Sequence, residues 1–343
     1  MIWNFQIVIE LILGVLTLIP GGYGVSVAWT IFSNKTEEKG VESREIEKKY
    51  YLLSMIALIL LISRIINVFY FYFVLTSLIP IIPGAMCQYG VLDASLPFSG
   101  YLDLGMKLFL PFLYGAFLIL DGINKKTKSL SLTPKLAKIY TFLMFPALVV
   151  DSGLDWVYFG FLEKIEVNCC RSVYNEAGTY NPLQLLGHET AFIVFVTTVI
   201  VLLIITGLQT LKDYKSRYLL ITTFLVLLAV PLTFISIQEW IAPYWIFASK
   251  SIYLQDLGTA HHCPFCLIKR WWTMIPFIIT IWLGLATVGW QMVLQKTSPE
   301  NDEIFAISDP IIDILRKISI ISILSGIGIV ALHLLLFLLL DIP

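Results

Sequence analysis

The chain has 343 residues, 58% of them hydrophobic and only 14% charged, with a mean hydropathy of +0.83. A soluble domain carries about 25% charged residues, so a water-facing surface of this size is excluded, and plentiful aromatics with modest Gly and Pro exclude disorder and collagen. With 23 Lys+Arg against 24 Asp+Glu the net charge is −1, which offers no basic field to nucleic acid; an all-α integral membrane protein remains.

A spanning helix needs about 20 mostly apolar residues, and eight stretches qualify. They run from Gln6 to Phe32, Tyr51 to Ser77, Leu104 to Leu120, Ala137 to Phe159, His188 to Leu211, Tyr218 to Trp240, Trp271 to Leu294 and Ile318 to Leu340. The third is short and holds Pro111, which a membrane helix tolerates as a kink. No alternating-polarity pattern of comparable length suggests a β-barrel. Ser308 to Lys317 is expected to form a small interfacial helix starting at Asp309-Pro310, a residue pair suited to a helix N-terminus.

Lys and Arg in the loops set the orientation. Loop 33–50, loop 121–136 with its junction, 212–217 and 295–317 together carry sixteen, whereas the opposite loops 80–103, 160–187 and 241–270 carry five. This asymmetry predicts a polytopic bundle with both termini outside the cytoplasm. Met1 to Gln6 lack the basic n-region of a cleavable signal, so the first helix is expected to be retained.

Ionisable residues inside spans are costly and count as functional candidates. Arg64 lies mid-span in the second stretch, and Asp151 and Asp155 share one face of the fourth toward the outer side. The favoured reading of Arg64 is a packing pair with Asp151. Glu10, near the outer end of the first helix, is expected to snorkel to the interface. Glu239 ends the sixth span at the outer face. His333, in the outer half of the eighth, can deliver protons or simply bond a backbone carbonyl.

The charge count uses no cysteine, yet it sorts all five: Cys87, Cys169 and Cys170, and Cys263 and Cys266 fall in the three outer loops. An oxidising outer compartment is where thiols pair and exchange. Cys87 paired with Cys169 or Cys170 would brace the loops or act as a relay. An adjacent-cysteine disulfide is strained and easily exchanged. A C-x-x-C pair closes too small a ring to restrain much chain, and is more often redox-active or metal-binding.

Cys263-Pro264-Phe265-Cys266 runs straight into the seventh span. Pro264 suits a first helical turn, so both thiols sit at a helix N-terminus, whose dipole stabilises thiolate. Arg270 is one turn beyond Cys266 on the same face, and Lys269 and His262 add positive potential. Trp271 and Trp272 read as interfacial anchors, with ligand stacking as the alternative.

Gln255, the Cys263–Cys266 motif, Leu267-Ile268 and Arg270 together resemble the DsbB-type membrane thiol oxidases, over residues 236–295. The resemblance implies a helical bundle of the bacterial inner membrane that takes electrons from a periplasmic thioredoxin-fold partner. It passes them to ubiquinone or menaquinone as a quinone-dependent, disulfide-forming oxidoreductase. By position, Cys263 and Cys266 would be the quinone-coupled pair, with Cys266 contacting the quinone as thiolate. Arg270 would polarise a quinone oxygen, Gln255 would lie near the same site, and His262, Trp271 and His333 would line or serve it. The family has fewer spans and keeps its second cysteine pair after the C-x-x-C. Here the relay would have to come from Cys87 with Cys169 or Cys170. Lys269 stands where the family commonly has Glu or Gln. The chain is thus expected to divide into a six-helix region (1–235), a C-x-x-C module (236–295) and an inner loop with the last span (296–343).

Two other functions fit the same residues. Copper or zinc could be held at the outer face by Cys169, Cys170, Cys263, Cys266, His261, His262 and Met86. A non-enzymatic membrane subunit could use the cysteines as structural disulfides.

Overall fold

Apolar stretches without strand periodicity leave the backbone one economical way to satisfy its own N–H and C=O groups in lipid, the helix. The computed structural model describes residues 4–33, 41–85, 88–127, 130–163, 167, 188–208, 271–297 and 302–340. Helices dominate these residues, and no strand occurs among them. In chain order they are α1 (Phe5–Ser33), α2 (Val41–Leu78), the short α3 (Gln88–Asp93), α4 (Ser99–Asn124), α5 (Thr133–Gly160), α6 (His188–Leu208), α7 (Trp271–Thr297) and α8 (Asp302–Leu340). Six of them, α1, α2, α4, α5, α7 and α8, are long and apolar enough to cross a membrane. The chain is a multi-pass membrane protein. The expected fifth span coincides with α6, and the sixth, Tyr218 to Trp240, lies outside the described residues.

Two sequence expectations need correction. The third span is not short: α4 starts at Ser99 and runs to Asn124, because polar Asp103, Lys107 and Asp121 find buried partners and no longer mark its ends. Ser308 to Lys317 is not a separate interfacial helix but part of the unbroken α8. Pro310 removes only one backbone donor there, while Asp313 pairs with Arg316 and Lys317 along the same helix, as i,i+3 and i,i+4 neighbours do.

The fold comprises two compact units, Met1–Val167 and Asn168–Pro343. In the first, α1 packs on α2 and α5, and α4 packs on α2 and α5, closing an up-and-down four-helix bundle. Its helices are inside-out amphipaths. On α2 the buried stripe Leu53, Ala57, Leu60, Arg64, Asn67, Phe71 and Val74 follows helical spacing, while Ile59, Ile62, Ile66 and Phe69 are exposed. Exposed apolar surface on this scale is what a lipid-facing helix presents.

A widened π turn at Tyr140–Met144 precedes Pro146, with the Phe145 N–H bonded back to the Tyr140 carbonyl. Proline has no N–H to give and crowds the carbonyl four residues earlier, which a wider turn relieves. The turn sets Tyr140 between α1 and α4: its hydroxyl donates to the Gly21 carbonyl at 3.2 Å, and its ring meets Phe117 edge-on at 6.1 Å. A side chain at Gly24 would collide with that ring.

In the second unit α7 and α8 form an antiparallel pair in which glycines permit close approach. A Cβ on Gly284 would meet Ile323, and one on Gly326 would meet Ile281. The Ser319 hydroxyl donates to the Gly284 carbonyl at 3.2 Å. Small residues and a polar cross-bond are the usual contact chemistry of membrane helices.

Candidate functional site: a buried charge cluster

The buried stripes of the four-helix unit bring ionisable residues to one level. α1 supplies Glu10 and Thr17, α2 supplies Arg64 and Asn67, α4 supplies Asp103, Lys107 and Tyr114, and α5 supplies Asp151 and Asp155. Pairs three, four or seven residues apart share a helix face, so each helix aims its polar groups inward together. Glu10, Asp103 and Asp151 are 0% exposed, and Arg64, Lys107 and Asp155 are 1% exposed.

Lys107 is the hub. Its ammonium lies 2.8 Å from Asp155 Oδ1, 3.1 Å from Glu10 Oε1, 3.6 Å from Asp103 Oδ1 and 3.9 Å from Asp151 Oδ1. It donates to Asn67 Oδ1 at 3.1 Å and stands 4.9 Å above the Phe71 ring centre. Asn67 turns its amide donor to Glu10 Oε1 at 2.8 Å. Arg64 pairs with Asp151 at 2.5 Å, as the sequence suggests, and its other terminal nitrogen bonds the Thr17 hydroxyl. Thr17 in turn donates to the Gly14 carbonyl at 2.8 Å.

The cluster is unbalanced: four carboxyls face two cations. Several polar atoms also lack a hydrogen-bond partner among the described residues, namely Glu10 Oε2, Asp103 Oδ2, Asp155 Oδ2, Arg64 Nε and the Tyr114 hydroxyl. The carboxyls of Asp103 and Asp155 both border the Lys107 ammonium, at 3.6 and 2.8 Å. Pro111, one turn past Lys107, has no N–H for the Lys107 carbonyl, leaving a further acceptor at this level.

Glu10 does not snorkel. It is buried and held by Asn67 and Lys107 from two neighbouring helices, partners that no single-helix argument reveals. Asp103 and Lys107 are the cluster residues that sequence reasoning misses. Of the 23 Lys and Arg, Lys107 alone belongs neither to the loop counts nor to Arg64. An acid four residues ahead of a lysine at the edge of an apolar stretch was the available signal.

The thiol residues Cys87, Cys169, Cys170, Cys263 and Cys266, together with Gln255, His262 and Arg270, lie outside the described residues. Trp271 opens α7 and His333 lies within α8, but their side chains are also outside the described set. A few residues before Cys87, Cys169 and Cys170 in sequence the backbone is described: the Val167 N–H donates to the Pro83 carbonyl at 3.0 Å. Gly84 makes this approach possible. Its φ is +77°, and a Cβ there would collide with the Val167 carbonyl, so only glycine fits without strain.

The fold and the cluster together define a multi-pass helical membrane protein with a buried ionic centre. Comparison with protein-family models, curated proteins and solved structures finds no match to this chain.

Proposed function

We propose that this protein is a membrane thiol–disulfide oxidoreductase that moves electrons between an extracytoplasmic thioredoxin-fold dithiol partner and a membrane quinone. In this reading it has eight spans, both termini outside, and lies in the bacterial inner membrane with its cysteine loops facing the periplasm. The observation that carries the reading is the Cys263–Cys266 motif with Arg270, placed immediately before α7. The α7 dipole favours thiolate at its N-terminus. The first turns of α7 leave Ile275, Ile278 and Ile279 exposed, an apolar flank that suits approach of a lipid-soluble carrier.

The relay pair would be Cys87 with Cys169 or Cys170. In sequence these thiols follow, by two to four residues, the two points joined by the Pro83–Val167 bond. Written toward the membrane, the partner dithiol becomes a disulfide and releases two electrons and two protons. The relay disulfide and then the Cys263–Cys266 disulfide are each reduced in turn by thiolate attack on a sulfur. A bound quinone would supply the terminal acceptor for two electrons and two protons. Arg270 would hold the Cys266 thiolate, and the same charge would orient an acceptor oxygen.

Thiol trapping in intact membranes tests this. With quinone depleted, Cys263 and Cys266 should accumulate as alkylatable thiols, and restoring quinone should return them to a disulfide. An identical disulfide state under both conditions would contradict the proposal and favour structural disulfides.

A further inference from the structure

The imbalance in the four-helix unit has a chemical consequence that is independent of the thiol reading. Each uncompensated ionised carboxylate in a low-dielectric interior costs several kcal/mol even after relaxation. Two excess negative charges at one buried level therefore demand compensation. A metal ion is a poor candidate, because the centre already holds the Lys107 ammonium with the Arg64 guanidinium beside it. Among the described residues no three His, Cys, Asp or Glu side chains are arranged so that they could hold a metal ion together. Protons remain, and the geometry provides for them: like carboxyls crowded at one site cannot both ionise freely, and Asp103 and Asp155 share the single Lys107 ammonium.

We propose that this cluster is a binding site for exchangeable protons, held on the Asp103 and Asp155 carboxyls beside Lys107. Asp151 is engaged by the Arg64 guanidinium, and Asp103 and Asp155 share the protons between them. The groups facing this site are Glu10 from α1, Arg64 from α2, Asp103, Lys107 and Tyr114 from α4, and Asp151, Asp155 and Tyr158 from α5. Tyr158 is committed to the Val91 carbonyl at 2.9 Å, and on α3 Asp93 accepts the Tyr101 hydroxyl at 2.8 Å. The remaining orphan atoms, Glu10 Oε2, Asp155 Oδ2 and the Tyr114 hydroxyl, are the hooks for incoming water.

The site lies near one end of the bundle. Glu10 follows the start of α1, and Asp155 precedes the end of α5, by five residues each, or about 7–8 Å at the helical rise. Exchange with that face therefore needs only a short path. A buried acid–base site of this kind is the usual equipment of intramembrane proton relays.

Infrared spectroscopy of the full chain in lipid tests the proposal. At neutral pH the wild type should show a protonated-carboxyl C=O band that shifts in D2O. Asp103→Asn and Asp155→Asn should each lose most of it, while Glu163→Gln, at an exposed position, should leave it intact. No such band in the wild type, a band that does not shift in D2O, or one unchanged in both variants would overturn the proposal. The wild-type measurement decides even if a variant fails to fold. Because the readout involves no thiol, its failure leaves the redox reading standing, and failure of the thiol-trapping test leaves this one standing.

Discussion

The four-helix unit contains two polar levels, and they are built differently. At the end that carries residues 125–132, Asp121 receives the Tyr50 hydroxyl, the Ser54 hydroxyl at 2.7 Å and the Lys125 ammonium at 2.7 Å. Lys125 also donates to Ser54 at 2.6 Å, and Asn124 closes the adjoining loop by accepting the Leu132 N–H at 2.8 Å and donating to Thr133 at 2.9 Å. One carboxyl meets one ammonium there, and Lys125 keeps 32% of its side chain exposed. At the Lys107 level, four carboxyls meet two cations with essentially no exposure. A satisfied polar level fixes helix register. An unbalanced, dehydrated one opposes stability and is retained where ions are handled.

This contrast can be broken at several points. The largest expected effect is at Arg64. Arg64→Met leaves the buried Asp151 carboxyl without its guanidinium partner, and breaking a buried pair from one side costs about 3–5 kcal/mol. Thermal unfolding in detergent should show a large fall in midpoint, and a small shift would mean that the Arg64–Asp151 pair does not organise the bundle. At the balanced level, Asp121→Asn removes the acceptor charge for Lys125 and Tyr50, a loss of about 1–3 kcal/mol for charge-assisted bonds, read in the same assay. Tyr140→Phe deletes one neutral bond to the Gly21 carbonyl while keeping the ring packed against Phe117. It should cost about 0.5–1.5 kcal/mol, and no change would show that the π turn is held by the ring alone.

The levels differ as much in how readily the sequence discloses them. Arg64 and Asp151 stand out because each interrupts an apolar run, and their pairing follows from Coulomb attraction in lipid. Lys107 and Asp103 sit where an apolar stretch begins, so a hydropathy boundary at Leu104 assigns Asp103 to a loop and hides Lys107 inside the span. Within its own helix, Glu10 has snorkelling as the natural outcome. Its real partners come from α2 and α4, and interhelical register is not contained in any single helix. The same limit explains α8. Asp309-Pro310 reads as a helix start, but only the packing of the preceding turn shows that the helix is already under way. Six of the spans are legible because lipid imposes one secondary structure on long apolar segments, and the π turn at Tyr140 is not, since Pro146 signals a disturbance without specifying its form.

The most direct test of this account sets one carboxyl from each level side by side. Asp103→Asn removes surplus negative charge from the Lys107 level, so its unfolding midpoint in lipid or detergent should be unchanged or higher, within about 1 kcal/mol of wild type. Asp121→Asn, measured under the same conditions, should lower it. Equal destabilisation by both substitutions would mean that the Lys107 level is balanced like the other, and that no protons need be held there.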